Sequence, residues 1–276
     1  MIICPVCKKD LIRNEKTYRC ENNHSFDMGK QGYLNLLLSN QKHSKTPGDD
    51  KEMVLSRKRF LEKDYYKIIS DRVNSLILEN LGDKKSVELV YSTCTILKEE
   101  NGENIKKFLE NLGVESNIIG IDISKEAIIS AAKTYKNIDW LVASAMNIPL
   151  ADESMDFVIC MFAKIVPEEK MRVLKNGGKL IVVSTGEKHL IELKEVVYKN
   201  VRTEFYSPVE DLKIFKHCKT VNCTGKSFIA ENESIRNLFD MTPYKWRSPK
   251  DGVERLFSLD SLEITIDVNI DVFEKV

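Results

Sequence analysis

Between Ser86 and about residue 205, short apolar runs alternate with helical periods, and this alternation narrows the fold more than any other feature of the chain. Strands are read over Val87–Tyr91, Asn117–Ile121, Ile138–Ala143, Phe157–Phe162 and Lys179–Ser184, with helices over Glu103–Leu112, Lys125–Thr134 and Pro167–Leu174. Strands separated by helices predict an α/β domain, a doubly wound, Rossmann-like parallel sheet whose ligands sit at the carboxyl ends of the strands. Ser261 to Val272 alternates apolar and polar residues and is expected to be an antiparallel edge strand that completes a seven-stranded sheet. The stretch from Glu210 to Thr224 has no clear period, whereas Asn232 to Met241 reads as a short helix.

The opening unit of that sheet, Ser86-Val-Glu-Leu-Val-Tyr-Ser-Thr-Cys-Thr95 followed by Ile118-Ile-Gly-Ile-Asp122, has the order of a nucleotide-type cofactor site. Asp122, at the end of the second strand, is placed to accept both ribose hydroxyls of a nucleoside, a task that needs a carboxylate. Ser144, Ala145 and Met146 follow the third strand where an adenine edge is read, and Asp156 lies near the fourth. Glycines usually occupy the first turn, because a ligand approaches the backbone closely and one position favours positive φ. Here Ser92, Cys94 and Ile96 stand there instead. Each such replacement costs about 1 kcal/mol or more, and at about 1.4 kcal/mol per decade three could convert a micromolar site into none. A shifted register would bring Glu88 to the cofactor's amino-acid end without restoring the glycines.

At the amino terminus, Cys4-Pro-Val-Cys7 and Cys20-Glu-Asn-Asn-His24 form two close ligand pairs separated by twelve residues. That spacing suits zinc, with Leu11-Ile12 and Thr17-Tyr18-Arg19 as the arms of a β-hairpin that returns the second pair to the first. Four protein ligands leave no open position, so the ion is structural. Tyr18, Arg19, Phe26, Lys30 and Tyr33 mix aromatic and basic groups as an RNA surface does, or Phe26 and Tyr33 are simply the core of a small module. The expected division is a zinc-binding RNA-recognition module over 1–38, a linker with two helices over 39–85, and the Rossmann-like domain over 86–276. In the middle part, Asp49 or Asp50 caps a helix to about Glu62, and a second helix runs from about Tyr65 to Leu81.

The 42 basic and 42 acidic side chains cancel, so net charge gives no reason to expect nucleic acid, and residues 1–64 carry only a small basic excess. Seven cysteines, four of them scattered at Cys94, Cys160, Cys218 and Cys223, fit a reducing compartment. With no apolar run long enough to span a bilayer, the expectation is a cytoplasmic protein.

Several segments together resemble one family, the large-subunit (23S) rRNA guanine-N1 methyltransferases. They are the Cys4, Cys7, Cys20, His24 set, Phe26-Asp-Met with Gly32-Tyr-Leu-Asn-Leu, Pro47-Gly-Asp and Gly120-Ile-Asp-Ile-Ser-Lys125. Ser154-Met-Asp156, Gly177-Gly178, His189-Leu-Ile-Glu-Leu-Lys194 and Met241-Thr-Pro-Tyr-Lys-Trp-Arg247 complete the match, the last two being the most family-specific. The resemblance implies a class I methyltransferase domain behind a zinc module, S-adenosylmethionine as cofactor, methyl transfer to N1 of a guanine in an rRNA hairpin, and a homodimer forming the RNA cleft. Asp156 and His189 are the positional candidates for the guanine pocket, although His189 could equally cap a helix. Trp246 either stacks a base or packs on the core. The family's Asp-x-Gly-x-Gly-x-Gly is absent at 90–96, so the alternative is a cofactor-deficient homologue that binds RNA or a partner.

Overall fold

The computed structural model describes residues 1–42, 44, 47–92, 99–201 and 205–276, with the side chains of 99–104 set aside. Cys94 and the rest of the turn over 93–98 therefore lie outside the described residues. Three short antiparallel strands, β1 (Ile12–Asn14), β2 (Thr17–Arg19) and β3 (Ser25–Asp27), form the front sheet, so the expected hairpin gains a third strand. Strand β4 (Tyr33–Asn35) then leaves that module. It pairs in parallel with a strand of the large sheet, Tyr33 opposite Trp140 and Asn35 opposite Val142.

Helices α1 (Lys51–Leu61) and α2 (Lys67–Glu79) follow. The Asp50 carboxylate accepts from Met53 N–H and caps α1, while Gly82, at φ +61°, ends the α2 segment in a conformation that glycine adopts without strain. The alternating region gives β5 (Ser86–Tyr91), α3 (Glu99–Asn111), β6 (Glu115–Asp122), α4 (Lys125–Thr134), β7 (Asp139–Val142), β8 (Met155–Met161), α5 (Pro167–Val173) and β9 (Leu174–Thr185). After α6 (Ile191–Val197) come β10 (Lys216–Ile229), α7 (Asn232–Asp240), α8 (Lys250–Phe257) and β11 (Leu262–Glu274).

The large sheet runs β10-β11-β9-β8-β5-β6-β7-β4. Its parallel strands change direction of succession between β5 and β8, the switch point at which a ligand crevice opens. The seven strands expected of a class I methyltransferase sheet are all present, and β4 adds an eighth at one edge. Strand β11 is antiparallel as expected but does not form the edge: it lies between β9 and β10. Strand β10, the stretch without a clear period, takes the edge instead, and its largely exposed, polar side chains explain why it carried no apolar signal.

Both faces of the sheet are buried. Along β5, Val87, Leu89 and Tyr91 face the helices α1, α2, α3 and α4 in one continuous core with Phe60, Ile69, Leu76, Ile105 and Ile128. Val90 turns the other way, into a second core with Ile119, Ile121, Leu141 and Val158. Cys4, Leu11, Cys20, Leu34 and Leu36 of the front segment complete that second core, together with Ile148 and Leu150. Main-chain bonds from Ile3 N–H to Pro149 O (3.0 Å) and from Ala151 N–H to Met1 O (2.8 Å) fix the docking.

Gly120 on β6 sits opposite Trp140 on β7, and an added Cβ would lie 2.1 Å from the buried indole. The ring is hemmed in by Tyr135, whose carbonyl accepts its N–H at 2.9 Å, so it cannot swing aside cheaply. Gly120→Ala is expected to lower stability by about 2–3 kcal/mol through overpacking; urea unfolding followed by tryptophan fluorescence checks this, and an unchanged midpoint would show that the indole yields.

Candidate functional site

Two sites can be built from the residues. In the first, the Sγ atoms of Cys4, Cys7 and Cys20 and a ring nitrogen of His24 lie within 4.8 Å of one another. Cys4 Sγ to His24 Nδ1 is 3.6 Å, Cys7 Sγ to Cys20 Sγ 3.6 Å, and Cys20 Sγ to His24 Nδ1 3.4 Å. A tetrahedral zinc with bonds of about 2.0–2.3 Å puts its ligand atoms about 3.4–3.8 Å apart, the spacing these three pairs have, so the donor set suits the ion. Two tight turns make this possible. Lys8 (φ +63°) and Asn23 (φ +61°) adopt left-handed backbone, which lets Lys8 N–H reach Cys4 O and Asn23 N–H reach Cys20 O, at 2.9 Å each. The Lys9 main-chain N–H holds the Cys7 thiol down to about 6, favouring the thiolate that a metal takes.

The second site lies at the carboxyl ends of the parallel strands. Ser92 follows β5, Asp122 ends β6, and Ser144 follows β7, so three expected cofactor residues stand on neighbouring strand ends. Ala143 N–H bonds to Asp122 O at 3.0 Å, Ser124 N–H holds Asp122 Oδ1 at 2.8 Å, and Ser144 Oγ accepts from Met146 N–H at 3.2 Å. Ala145 and Met146 belong to the same turn, and Met146 is exposed. This arrangement, with a carboxylate on the middle strand end, fits a nucleoside cofactor laid across β5, β6 and β7. Lys170 on α5 is fully buried and donates to Ser92 Oγ at 2.6 Å. Burial pushes its pKa down. Nothing in Pro167-Glu-Glu-Lys-Met-Arg-Val173 marks that lysine as different from a solvated one.

Glu88 and Asp156 are not brought to this end. Glu88 lies four residues before Ser92, about 13 Å down an extended strand, and its carboxylate takes Asn117 Nδ2 at 3.0 Å. Asp156 is at the start of β8. It accepts from Lys84, Lys175 and Glu88 N–H at 2.8–3.0 Å, which together outweigh its burial and hold its carboxyl below the usual range. The pair forms a structural charge cluster under the sheet.

Beside the cofactor strand ends opens a cavity of about 590 Å³. Its walls come from four directions: Gly48 and Asp49 of the linker, Met53 and Arg57 of α1, Val182 to Thr185 of β9, and Met241 to Tyr244. Asp122 and His189 both line it, so the two most family-specific segments and the Asp122 end of β6 meet in one space. Loop 47–50 is pinned there by Ser124 Oγ–H to Asp49 O (2.7 Å). Arg57 ties it to the far wall, with Nη2 on the Asp49 carboxylate (2.7 Å) and on Met241 O (2.9 Å). His189 is not a helix cap: it precedes α6, and its ring is buried between Tyr66 and Phe162, stacked on the latter at 5.9 Å. Burial lowers its pKa to about 4, so it is neutral at pH 7. Trp246 is not packed in the core either; it is 64% exposed beside the cavity wall formed by Pro243 and Tyr244, with Lys245 Nζ 5.5 Å from the ring centroid.

Because the zinc ligands Cys4 and Cys20 belong to the core under the large sheet, losing the ion should loosen more than the front module. Elemental analysis should find one zinc per chain, and Cys20→Ser is expected to remove it and to lower the melting temperature of the whole protein in a single transition. A separate early transition, with the main one unmoved, would contradict it.

Comparison with known proteins gives the same two parts. A family described as "RlmA, N-terminal", a zinc ribbon, matches residues 2–45, and one described as "Methyltransferase domain" matches 100–178. A Bacillus subtilis protein named "Putative 23S rRNA (guanine-N(1)-)-methyltransferase YxjB" is 29% identical over 98% of this chain and 95% of its own length. The Streptomyces fradiae 23S rRNA (guanine(748)-N(1))-methyltransferase is also 29% identical, again over 98% and 95%. Among solved structures, the YcgJ protein of B. subtilis aligns at 13% identity and a TM-score of 0.47, over 74% of this chain and 98% of that one. With the zinc ligand set and the strand order in hand, the chain carries an RlmA-type zinc ribbon ahead of a methyltransferase domain, and over nearly its full length it is similar to proteins named 23S rRNA guanine-N1 methyltransferases.

Proposed function

We propose that this protein methylates N1 of a guanine in a hairpin of large-subunit rRNA, with S-adenosylmethionine as the methyl donor and a structural zinc. The observation that carries the reading is the single cavity in which Asp122, His189 and the Met241–Tyr244 segment meet at the strand ends. When bound, the cofactor supplies an electrophilic methyl group. Asp122 would hold its ribose and Ser144, Ala145 and Met146 border its adenine, while Ser92, backed by Lys170, faces its amino-acid end. Cys94 falls in the same turn by sequence. His189, whose Nδ1 already accepts from Asp267 N–H, orients a neighbour rather than taking a proton. Glu88 and Asp156 have no part in the pocket.

The RNA would approach from the cavity side, where exposed Trp246 offers a stacking face between Lys245 and Arg247. The zinc module adds Tyr18, Arg19 and Lys30, and a homodimer would build the cleft from two copies. Among the described residues no helix is long and apolar enough to cross a membrane, and a cytoplasmic site of action follows from an rRNA substrate. One specific observation favours a second reading, a cofactor-deficient RNA-binding homologue: the sequence Ser92-Thr-Cys-Thr-Ile96 stands where glycines are usual.

Nucleoside mass spectrometry after incubating the purified protein with the cofactor and unmodified large-subunit rRNA should show 1-methylguanosine. Product at another base or atom, or none with RNA bound, would overturn the reading.

A further inference from the structure

The polar lining of the cavity carries a pattern that neither the family resemblance nor the proposed reaction assigns. Asp267 N–H points at His189 Nδ1 from 3.3 Å, so that nitrogen holds the lone pair, and the one proton of the neutral ring sits on Nε2. Nε2 lies 3.3 Å from Tyr66 Oη and therefore donates to it. A phenol O–H lies in the ring plane with two orientations, and the His189 donor occupies one. The Tyr66 proton takes the other, and both residues line the cavity. Burial raises the Tyr66 pKa well above its ordinary value, so the proton stays on.

A second donor stands on the same walls. Among the described residues, Arg57 Nε is buried with no hydrogen-bond partner, although Nη2 of the same side chain is fully engaged by Asp49 and Met241. A third polar group, Ser184 Oγ, is also unpartnered on a residue only 8% exposed, and Ser184 lines the cavity too. Buried polar groups without partners are rare and costly, and here two of them, Arg57 Nε and Ser184 Oγ, belong to residues that line the same space of base-binding size as Tyr66.

We infer that Tyr66 and Arg57 read the O6–N7 edge of the target guanine, Tyr66 donating to O6 and Arg57 to N7, with His189 as the positioning residue that aims the Tyr66 proton. This rests on the proposed guanine methylation and names the residues that select the base. Guanine presents two acceptors on that edge, whereas adenine presents an amine donor in place of O6 and would leave Tyr66 facing a donor. The same contact serves the chemistry. Methyl transfer would form the N1–CH3 bond as the donor's S–CH3 bond breaks and leaves its electron pair on sulfur, with the N1 proton passing to solvent water; the charge that N1 then shares with O6 is stabilised there by a fixed O–H donor. Ser184, whose hydroxyl rotates, can satisfy a further group of the base from β9.

The test is steady-state methylation of an rRNA hairpin by the full-length zinc protein, with guanine or 7-deazaguanine at the target position. Tyr66→Phe is expected to lower kcat about 10- to 100-fold while KM for RNA, set mainly by phosphate contacts, changes less than about threefold. His189→Gln, whose amide N–H still donates, should keep more kcat than His189→Leu. Loss of N7 should cost the unaltered protein about tenfold and Arg57→Lys little more; this analogue arm needs no variant, so misfolding cannot mimic it. Full kcat in Tyr66→Phe, or no penalty for 7-deazaguanine in the unaltered protein, would overturn the inference alone. An unaltered protein that methylates no guanine hairpin would overturn the parent reading, and this one with it.

Discussion

A parallel sheet has two apolar faces, and both must be covered before any strand end can serve as a site. In this protein α1 to α4 cover one face. The zinc ribbon covers part of the other, with Cys4, Leu11, Cys20, Leu34 and Leu36 packed over Val90, Ile119 and Leu141. The ion therefore does more than fold a short hairpin. It fixes the shape of a wall that the methyltransferase sheet leans on, and β4 extends that wall into the sheet itself as its edge strand. Ile148 and Leu150, immediately after the Ser144–Met146 turn, join the same core, which couples the metal centre to the turn at the end of β7.

The linker plays the corresponding part on the other side. Asp49 and Gly48 lie against Ser124 at the end of β6, and Arg57 joins Asp49 to Met241, so residues 184 positions apart close one cavity. Gly48, at φ +81°, has Ser124 N within 3.0 Å of where a Cβ would be, which explains the glycine in Pro47-Gly-Asp. The front of the chain thus both packs beneath the β7 turn and lines the cavity.

Much of this was legible in the sequence. The two zinc pairs were readable because a closed ligand set has few spacings, and helix α4 was placed to the residue because Ser124 caps it, its Oγ accepting from Ala127 N–H at 3.2 Å. What escaped depends on tertiary burial. Strand β4 is three residues long and looks like part of the small module until β7 is beside it. Strand β10 was unreadable because an edge strand with a polar face lacks an apolar period. Tyr66, Arg57 and Lys170 look like ordinary helix residues, and only the fold turns them into buried donors. Conversely, Asp156 and Glu88 looked like site carboxylates because a sequence gives the strand but not which end of it matters.

The central claim is that the strand ends of β5, β6 and β7 still hold S-adenosylmethionine although Ser92, Cys94 and Ile96 replace glycines. Calorimetric titration of the zinc-loaded protein with that cofactor tests it most directly. The account predicts micromolar binding, weakened at least tenfold by Asp122→Ala. No heat at millimolar cofactor, in a protein that retains its zinc and its melting transition, would contradict it.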